Sequence, residues 1–525
     1  MEYHFYNDAV SRKTIAELQK MLEADEISSE ELVWAYLERI AAFDTEGPGL
    51  RSVLEFNPDA FAIARERDWE RKTGNSRGPL HGIPIMLKDC IDTADGMHTT
   101  CGAVALREHY AKKDAYIVRK LREAGAIILA KNSMSEYYGF MSTKAPSCFS
   151  GLLQGSPLNP FGPGRLKPGG SSGGSAVAVA CDFTPASIGT DTAGSIYEPA
   201  CFNGVVGYKP TVGLISRSGI FPILKCQDAP GTLTRSVRDA ALLANVLVGR
   251  DEADPDTIRA EMFKEHDFTL GLETESLHGK RLGVVSSLFD HMGFRTISND
   301  AAENAALGKI AAEELKKALE LLKAAGAEII DVEDFVPADL IAAADRGPDG
   351  KTDMVSGSID ADPALFLPDA EVMCQGFKAR FDRYLADCDD IPVHSLTELV
   401  AWNREHPEAI PYGQDYLEMV AAVERPVMNR KFIRHRMNDL SVCGEKGIWE
   451  VMERCQLNAL ILPGVAGQGI AATAGNPTIS IPAGCTPETG PVGLNLIGDI
   501  MCDAELLRIA RACEKVLPKA PVPEL

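Results

Sequence analysis

The chain has 525 residues, 45% hydrophobic and 24% charged, the balance of a folded globular protein with length enough for a large core. Its formal net charge of −22 opposes binding to phosphate backbones and anionic membranes, so neither nucleic acid nor a membrane is an expected direct partner. The 13 cysteines stand singly, without a CxxC pair, which argues for reduced thiols rather than a disulfide framework. The segment Met1–Phe5 has neither a basic nor an apolar leader character, and no run reaches the roughly 18 apolar residues of a membrane span. A soluble cytoplasmic protein is the expectation.

In chain order, Thr14 is placed to cap a helix over Ile15–Ala24, and Ser28 or Ser29 one over Glu30–Phe43. From about residue 80, short apolar strands alternate with helices. Asp114 opens a helix that runs to Gly125, and Ala126–Ala130 reads as a buried strand. Ser133-Met134-Ser135-Glu136 has the form of a capping box and predicts a further helix. Lys280–Ser286 and Ala327–Val332 read as strands around a long helix from about Asn299 to Ala325. Residues 335–450 are polar, helix-prone and interrupted by prolines. Toward the end, Ala459–Leu462, Thr478–Ile481 and Val492–Ile497 are strand-like, and Asp503 caps a last helix with Leu506, Ala510, Cys513 and Leu517 on one face. This alternation predicts an α/β fold, a large mixed β-sheet sandwiched between helices. The expected organisation is one domain over 1–525, with a core of 12–335 and 451–520. Residues 336–450 form a variable helical insertion covering the active site.

The most informative stretch is Gly169-Gly170-Ser171-Ser172-Gly173-Gly174-Ser175 and the small-residue helix Ala176–Cys181. A phosphate cradle would need a lysine and then Ser or Thr after the last glycine, and Ser175-Ala176 stands there instead. The loop also matches G-x-S-x-G twice, but an elbow of that kind needs an apolar strand before it. Here Pro163–Pro168 carries two prolines and no strand character. A flexible serine-glycine turn is the plain alternative. What overrides it is Gly189-Thr190-Asp191-Thr192-Ala193-Gly194-Ser195-Ile196, with Ser195 following Ser171 by 24 residues. Gly82-Ile83-Pro84-Ile85-Met86-Leu87-Lys88-Asp89 supplies a lysine at the end of an apolar strand.

With these three motifs in order, the sequence resembles the amidase signature family of serine hydrolases. The likeness runs over most of 12–250 and 455–517, including Gly204–Thr211, Thr234–Ala241, Ala474–Pro477 and Pro491–Leu494. Ser156–Asn159, Gly204–Ile220 and Ser216–Leu233, the last including Gln227-Asp228-Ala229-Pro230-Gly231, look most like its peptide-amidase branch, which removes ammonia from C-terminal amides. The resemblance implies that Ser195 is the nucleophile, that Ser171, after a cis peptide bond, relays the proton, and that Lys88 is the base. It implies an acyl-enzyme intermediate and an oxyanion hole built from backbone N–H groups of Thr192, Ala193, Gly194 and Ser195. Ser172, Thr190 and Asp191 are expected to brace the site, although Thr190 and Asp191 also read as plain turn formers. Lys88 can be a base only when neutral, so its ordinary pKa of about 10.4 has to fall, and desolvation on the strand is the expected cause. A salt bridge with Asp89 is the competing role, weakened because adjacent strand residues face opposite sides.

Tyr197-Glu198 stands where the family usually has an arginine, and Cys90 where many members have asparagine. Glu198 suggests a cationic or amino-bearing substrate, against the plainer reading of a solvated surface glutamate. Residues 141–149 and 335–450 are expected to shape the pocket. No metal and no cofactor is expected, since no HExxH or clustered ligand set appears. The expected partner is a small-molecule or peptide amide, and a homodimer is compatible with these features. An ester or carbamate hydrolase with the same triad, an amidotransferase subunit that works with partner proteins, and a non-catalytic binding protein are the alternatives.

Overall fold

The computed structural model describes residues 4–291, 296–298, 300–332, 370–424 and 430–525. Among these, eleven strands lie side by side in a single mixed sheet, in the order β1-β3-β2-β4-β6-β5-β10-β11-β9-β7-β8. They are β1 Val53–Phe56, β2 Pro84–Lys88, β3 Ile127–Asn132, β4 Ala186–Asp191, β5 Val206–Lys209, β6 Ala229–Thr234, β7 Arg281–Val284, β8 Glu328–Asp331, β9 Ala459–Pro463, β10 Thr478–Thr486 and β11 Gly490–Ile497. Parallel pairing joins β2 to β3 and β4, and β7 to β8 and β9, while the strands between are antiparallel. The α/β expectation and the mixed sheet are therefore realised.

Helices cover both faces, and alternation along the strands decides which residues meet them. Ile479 and Ile481 of β10, with Leu494 and Leu496 of β11, share a buried cluster with Leu507 and Ala510 of the C-terminal helix Asp503–Val516 and with Ala311 and Leu315 of the long helix Ala301–Ala324. On the opposite face, glycines replace side chains. A Cβ on Gly207 would meet Ala200 Cβ at 2.6 Å, and one on Gly493 would meet Cys201 Sγ at 3.2 Å. Ala200 and Cys201 belong to α6, Tyr197–Asn203, which follows the Ser195 turn. Small residues thus let α6 approach the sheet and set where that turn sits.

The N-terminal helices form as their sequence dictates. Thr14 with Glu17 and Ser28 with Glu31 make complete capping boxes for α1, Ile15–Glu23, and α2, Ser29–Ile40. Each cap contributes about 1 kcal/mol.

Three expected helix starts are corrected. Tyr137 and Tyr138 have φ of 44° and 63°, so Glu136–Gly139 is a single distorted 3-10 turn and not a helix begun by a capping box. The amides that a cap would need are taken by other loops: Ser135 N–H donates to Ser171 O and Glu136 N–H to Phe149 O. Asp503 is not a cap either; its carboxylate accepts from Tyr208 Oη at 2.7 Å and from Thr211 N and Oγ1 at 2.9 and 2.6 Å. Asp114 accepts from Ala94 N and Arg122 Nε, and α4, Tyr116–Glu123, starts after Ala115 without a side-chain cap. In each case a long-range partner outcompetes the local one.

Of the expected insertion 336–450, residues 336–369 and 425–429 lie outside the described residues, as does the helix start at Asn299. The described part is helical, at Ala370–Ala386, Leu396–Glu405, Asp415–Ala421 and Arg430–Leu440. Phe377 and Phe381 of the first of these pack with Tyr137 and Phe221 of the core. Among the described residues, no helix is long and apolar enough to cross a membrane.

Candidate active site

Lys88 ends β2, a strand buried along its whole length. Pairing of Leu87 with Ile188 in the parallel neighbour β4 carries Thr190 alongside the end of β2. Lys88 Nζ donates to Ser171 Oγ at 2.7 Å, to Thr190 Oγ1 at 2.9 Å and to Thr190 O at 3.4 Å. The Tyr138 ring lies 5.0 Å from the same nitrogen. Burial pushes the Lys88 pKa below its ordinary value, and the nearby Cys90, Cys101 and Cys148 thiols and Asp191 only partly oppose this. Asp89 turns away and accepts from Thr100 N at 3.2 Å and Gly102 N at 3.1 Å, so the Lys88–Asp89 salt bridge does not form.

The serine loop is held at several points. Gly169 has φ of 71°, the Gly170–Ser171 peptide bond is cis, and α5, Gly173–Ala180, begins just after. Ser135 N–H donates to Ser171 O at 3.1 Å, and Ser172 N–H to Ser195 O at 3.3 Å. Ser172 Oγ donates to Thr190 O at 3.2 Å, so this hydroxyl ties the loop to β4. The turn after β4 is organised by Asp191, whose two carboxylate oxygens accept from Gly194 N at 2.8 Å and Ile196 N at 2.7 Å. Thr192 Oγ1 donates to Asp228 Oδ1 at 2.6 Å. Gly194, at φ of 119°, occupies backbone space that a side chain disfavours. Lys209 stands behind, donating to Asn476 O at 2.6 Å and Pro210 O at 3.0 Å, with burial pushing its pKa down to about 8.

Ser171, Thr192, Ala193 and Ser195 share one cavity of about 720 Å³. Every residue from Met141 to Phe149 also lines it, and Met373, Tyr412 and Tyr416 of the helical segment contribute. Glu198 lines it too. Tyr197 does not: it is buried, because consecutive helical residues diverge by about 100°. Sequence reasoning missed Tyr138, Asp228 and Glu136. Asp228 sits in the Gln227–Gly231 stretch that carried the branch resemblance, whereas nothing local marks Tyr138, which faces Lys88 only through its positive-φ turn. Among the described residues, no group of three or more His, Cys, Asp or Glu is placed to hold a metal ion.

The Amidase family profile matches residues 31–341. Fold and profile together define the class: the chain belongs to the amidase family and is an amide-hydrolysing enzyme. It is 33% identical to a probable amidase of Arabidopsis thaliana over 97% of this chain and 90% of the relative. The structure of the native peptide amidase from Stenotrophomonas maltophilia superposes with a TM-score of 0.85 at 36% identity, covering 98% of this chain and 99% of that one. A glutamyl-tRNA(Gln) amidotransferase subunit from Prochlorococcus marinus is 30% identical over 96% of this chain and 97% of the relative.

Proposed function

We propose that the enzyme cleaves a carboxylic amide with Ser195 as nucleophile, Ser171 as proton relay and Lys88 as base. The observation that carries this is the 2.7 Å contact from Lys88 Nζ to Ser171 Oγ, at a cavity that Ser195 also lines. Neutral Lys88 takes the Ser171 hydroxyl proton while Ser171 takes that of Ser195, and Ser195 Oγ bonds to the amide carbon. The C–N bond then breaks as the proton returns through Ser171 to the departing nitrogen, leaving an acyl-enzyme. Water repeats the sequence and releases the carboxylic acid. Because Gly194 N–H is committed to Asp191, we assign the oxyanion chiefly to the N–H groups of Thr192, Ala193 and Ser195. Asp191, Thr190 and Ser172 hold that turn and the relay loop in register.

The likeness to the Stenotrophomonas peptide amidase supports a C-terminal peptide amide, or another small amide, as substrate. We assign the described part of the insertion expected over 336–450 to a position over the site, consistent with Met373, Tyr412 and Tyr416 in the cavity wall. Active-site titration with a fluorophosphonate tests the triad: an adduct on Ser195 is expected, and its absence in folded protein overturns the assignment. A panel of peptide amides, aryl amides, esters and carbamates, ranked by specificity constant, tests the substrate. The similarity to the Prochlorococcus protein favours a second reading, a component of an amidotransferase, which stable copurifying partner proteins would support.

A further inference from the structure

The buried carboxylates around the site are well supplied with donors, with one exception. Asp44 accepts from Ser52 N, Ser52 Oγ and Val53 N; Asp89 from Thr100 and Gly102; Asp191 from Gly194 and Ile196; Asp228 from Thr192, Ile223 and Leu224. Glu136 is only 4% exposed, yet among the described residues nothing donates a hydrogen bond to its carboxylate and no cation pairs with it. Burial alone pushes its pKa well above the usual carboxylate range, with no neighbouring charge opposing it. A buried carboxyl without a partner is costly, so its retention in a cavity wall points to a partner that arrives from outside.

Its position suits that role. Glu136 lines the same cavity as Ser171 and Ser195. Its N–H donates to Phe149 O at 2.8 Å, and the preceding N–H, of Ser135, donates to Ser171 O at 3.1 Å, so it is fixed one residue from the relay contact. The carboxylate rests against Gly151, where a Cβ would meet both oxygens at 3.0 Å. We infer that Glu136 is the receptor for a positively charged nitrogen on the substrate, so that the preferred amides carry a protonated amine. This rests on the cavity being the amide-binding site. An ammonium group supplies three donors and a charge to a carboxylate that has neither, and such charge-assisted hydrogen bonds are the stronger kind.

Calorimetric titration of the Ser195→Ala protein with benzylammonium and, separately, with benzyl alcohol tests the inference without requiring turnover. Benzylammonium is expected to bind at least about tenfold tighter than the neutral alcohol, and Glu136→Gln in the same background is expected to bring the two within about threefold. Equal binding of the two probes with Glu136 intact overturns the inference, and this comparison stands even if the Gln variant does not fold. A preference that survives in folded Glu136→Gln overturns it as well. With active enzyme, the ratio of specificity constants for an amino acid amide and its N-acetylated form is expected to favour the free amine and to narrow in Glu136→Gln through KM rather than kcat. If the triad assignment fails, the Ser195→Ala protein still turns over amides while ammonium binding persists; if this inference fails, the intact enzyme turns over without ammonium preference.

Discussion

Lys88 Nζ and Ser171 Oγ stand 2.7 Å apart although 83 residues separate them in the chain. The contact depends on β2 and β4 running parallel, which places Thr190 as a second acceptor, and on Ser135 gripping the Ser171 carbonyl from the far side. No local feature of either motif specifies it.

The base can be tested through pH. Lys88 is depressed by burial, so the folded state sheds its proton at a lower pH than the unfolded chain, whose lysine has an ordinary value of 10.5. Turnover is expected to rise with pH through the depressed Lys88 pKa and to fall below it. Between that pKa and 10.5 the unfolded chain binds the extra proton, so this residue's contribution to stability grows as pH rises. Lys88→Met should therefore lower kcat by at least about a hundredfold, and its stability relative to wild type should decline as pH rises. Chemical denaturation of both proteins across pH checks the second point.

Asp191→Asn removes the charge that holds the Gly194 and Ile196 amides at 2.8 and 2.7 Å. The expected loss is about 1–3 kcal/mol of stability, with kcat falling more than KM rises, since the turn carries Ser195. Urea unfolding and steady-state kinetics on one preparation read both.

Gly207→Ala puts a methyl group 2.6 Å from Ala200 Cβ and forces α6 off the sheet. Overpacking of this kind costs about 1–3 kcal/mol, and because α6 follows Ser195 the rate of fluorophosphonate labelling should fall with it. Unchanged labelling would show that the turn is positioned independently of α6.

Asp92 accepts from Tyr384 Oη at 2.8 Å, joining the core to the helix Ala370–Ala386, and burial raises its pKa from 3.8 to about 6. Its folded pKa exceeds the unfolded one, so the stability it contributes is full below 3.8 and is lost as pH rises through about 6. Asp92→Asn is expected to flatten that decline between about pH 4 and 7, by on the order of 3 kcal/mol, in thermal unfolding followed across pH.

Charge reversal at Glu198, which lines the cavity, should change the ranking of amides that differ only in charge. A Glu198→Lys variant is expected to lose activity on amino-bearing substrates relative to neutral ones, by about tenfold in specificity constant. An unchanged ranking in the amide panel removes Glu198 from recognition.

Much of this was legible in the sequence because it is written in short, local patterns. The capping boxes at Thr14 and Ser28, the apolar run ending at Lys88, and the glycines around Ser171 and Ser195 each depend on neighbours a few residues away. The same local logic misjudged Ser133–Glu136, Asp114 and Asp503. There the capping groups were drawn to distant partners, and hydrogen-bonding groups inside a protein take whichever partner removes them from water at least cost. The sequence by itself determined the sheet-and-helix alternation and the identity of the three candidate catalytic residues, since each sits in its own contiguous motif. Only the tertiary structure decided that Lys88 faces Ser171 and not Asp89, that Glu198 reaches the cavity while Tyr197 does not, and that Glu136 is buried without a partner among the described residues. Those outcomes depend on which strand lies beside which, and pairing between segments far apart in the chain is set by the packing of the whole core.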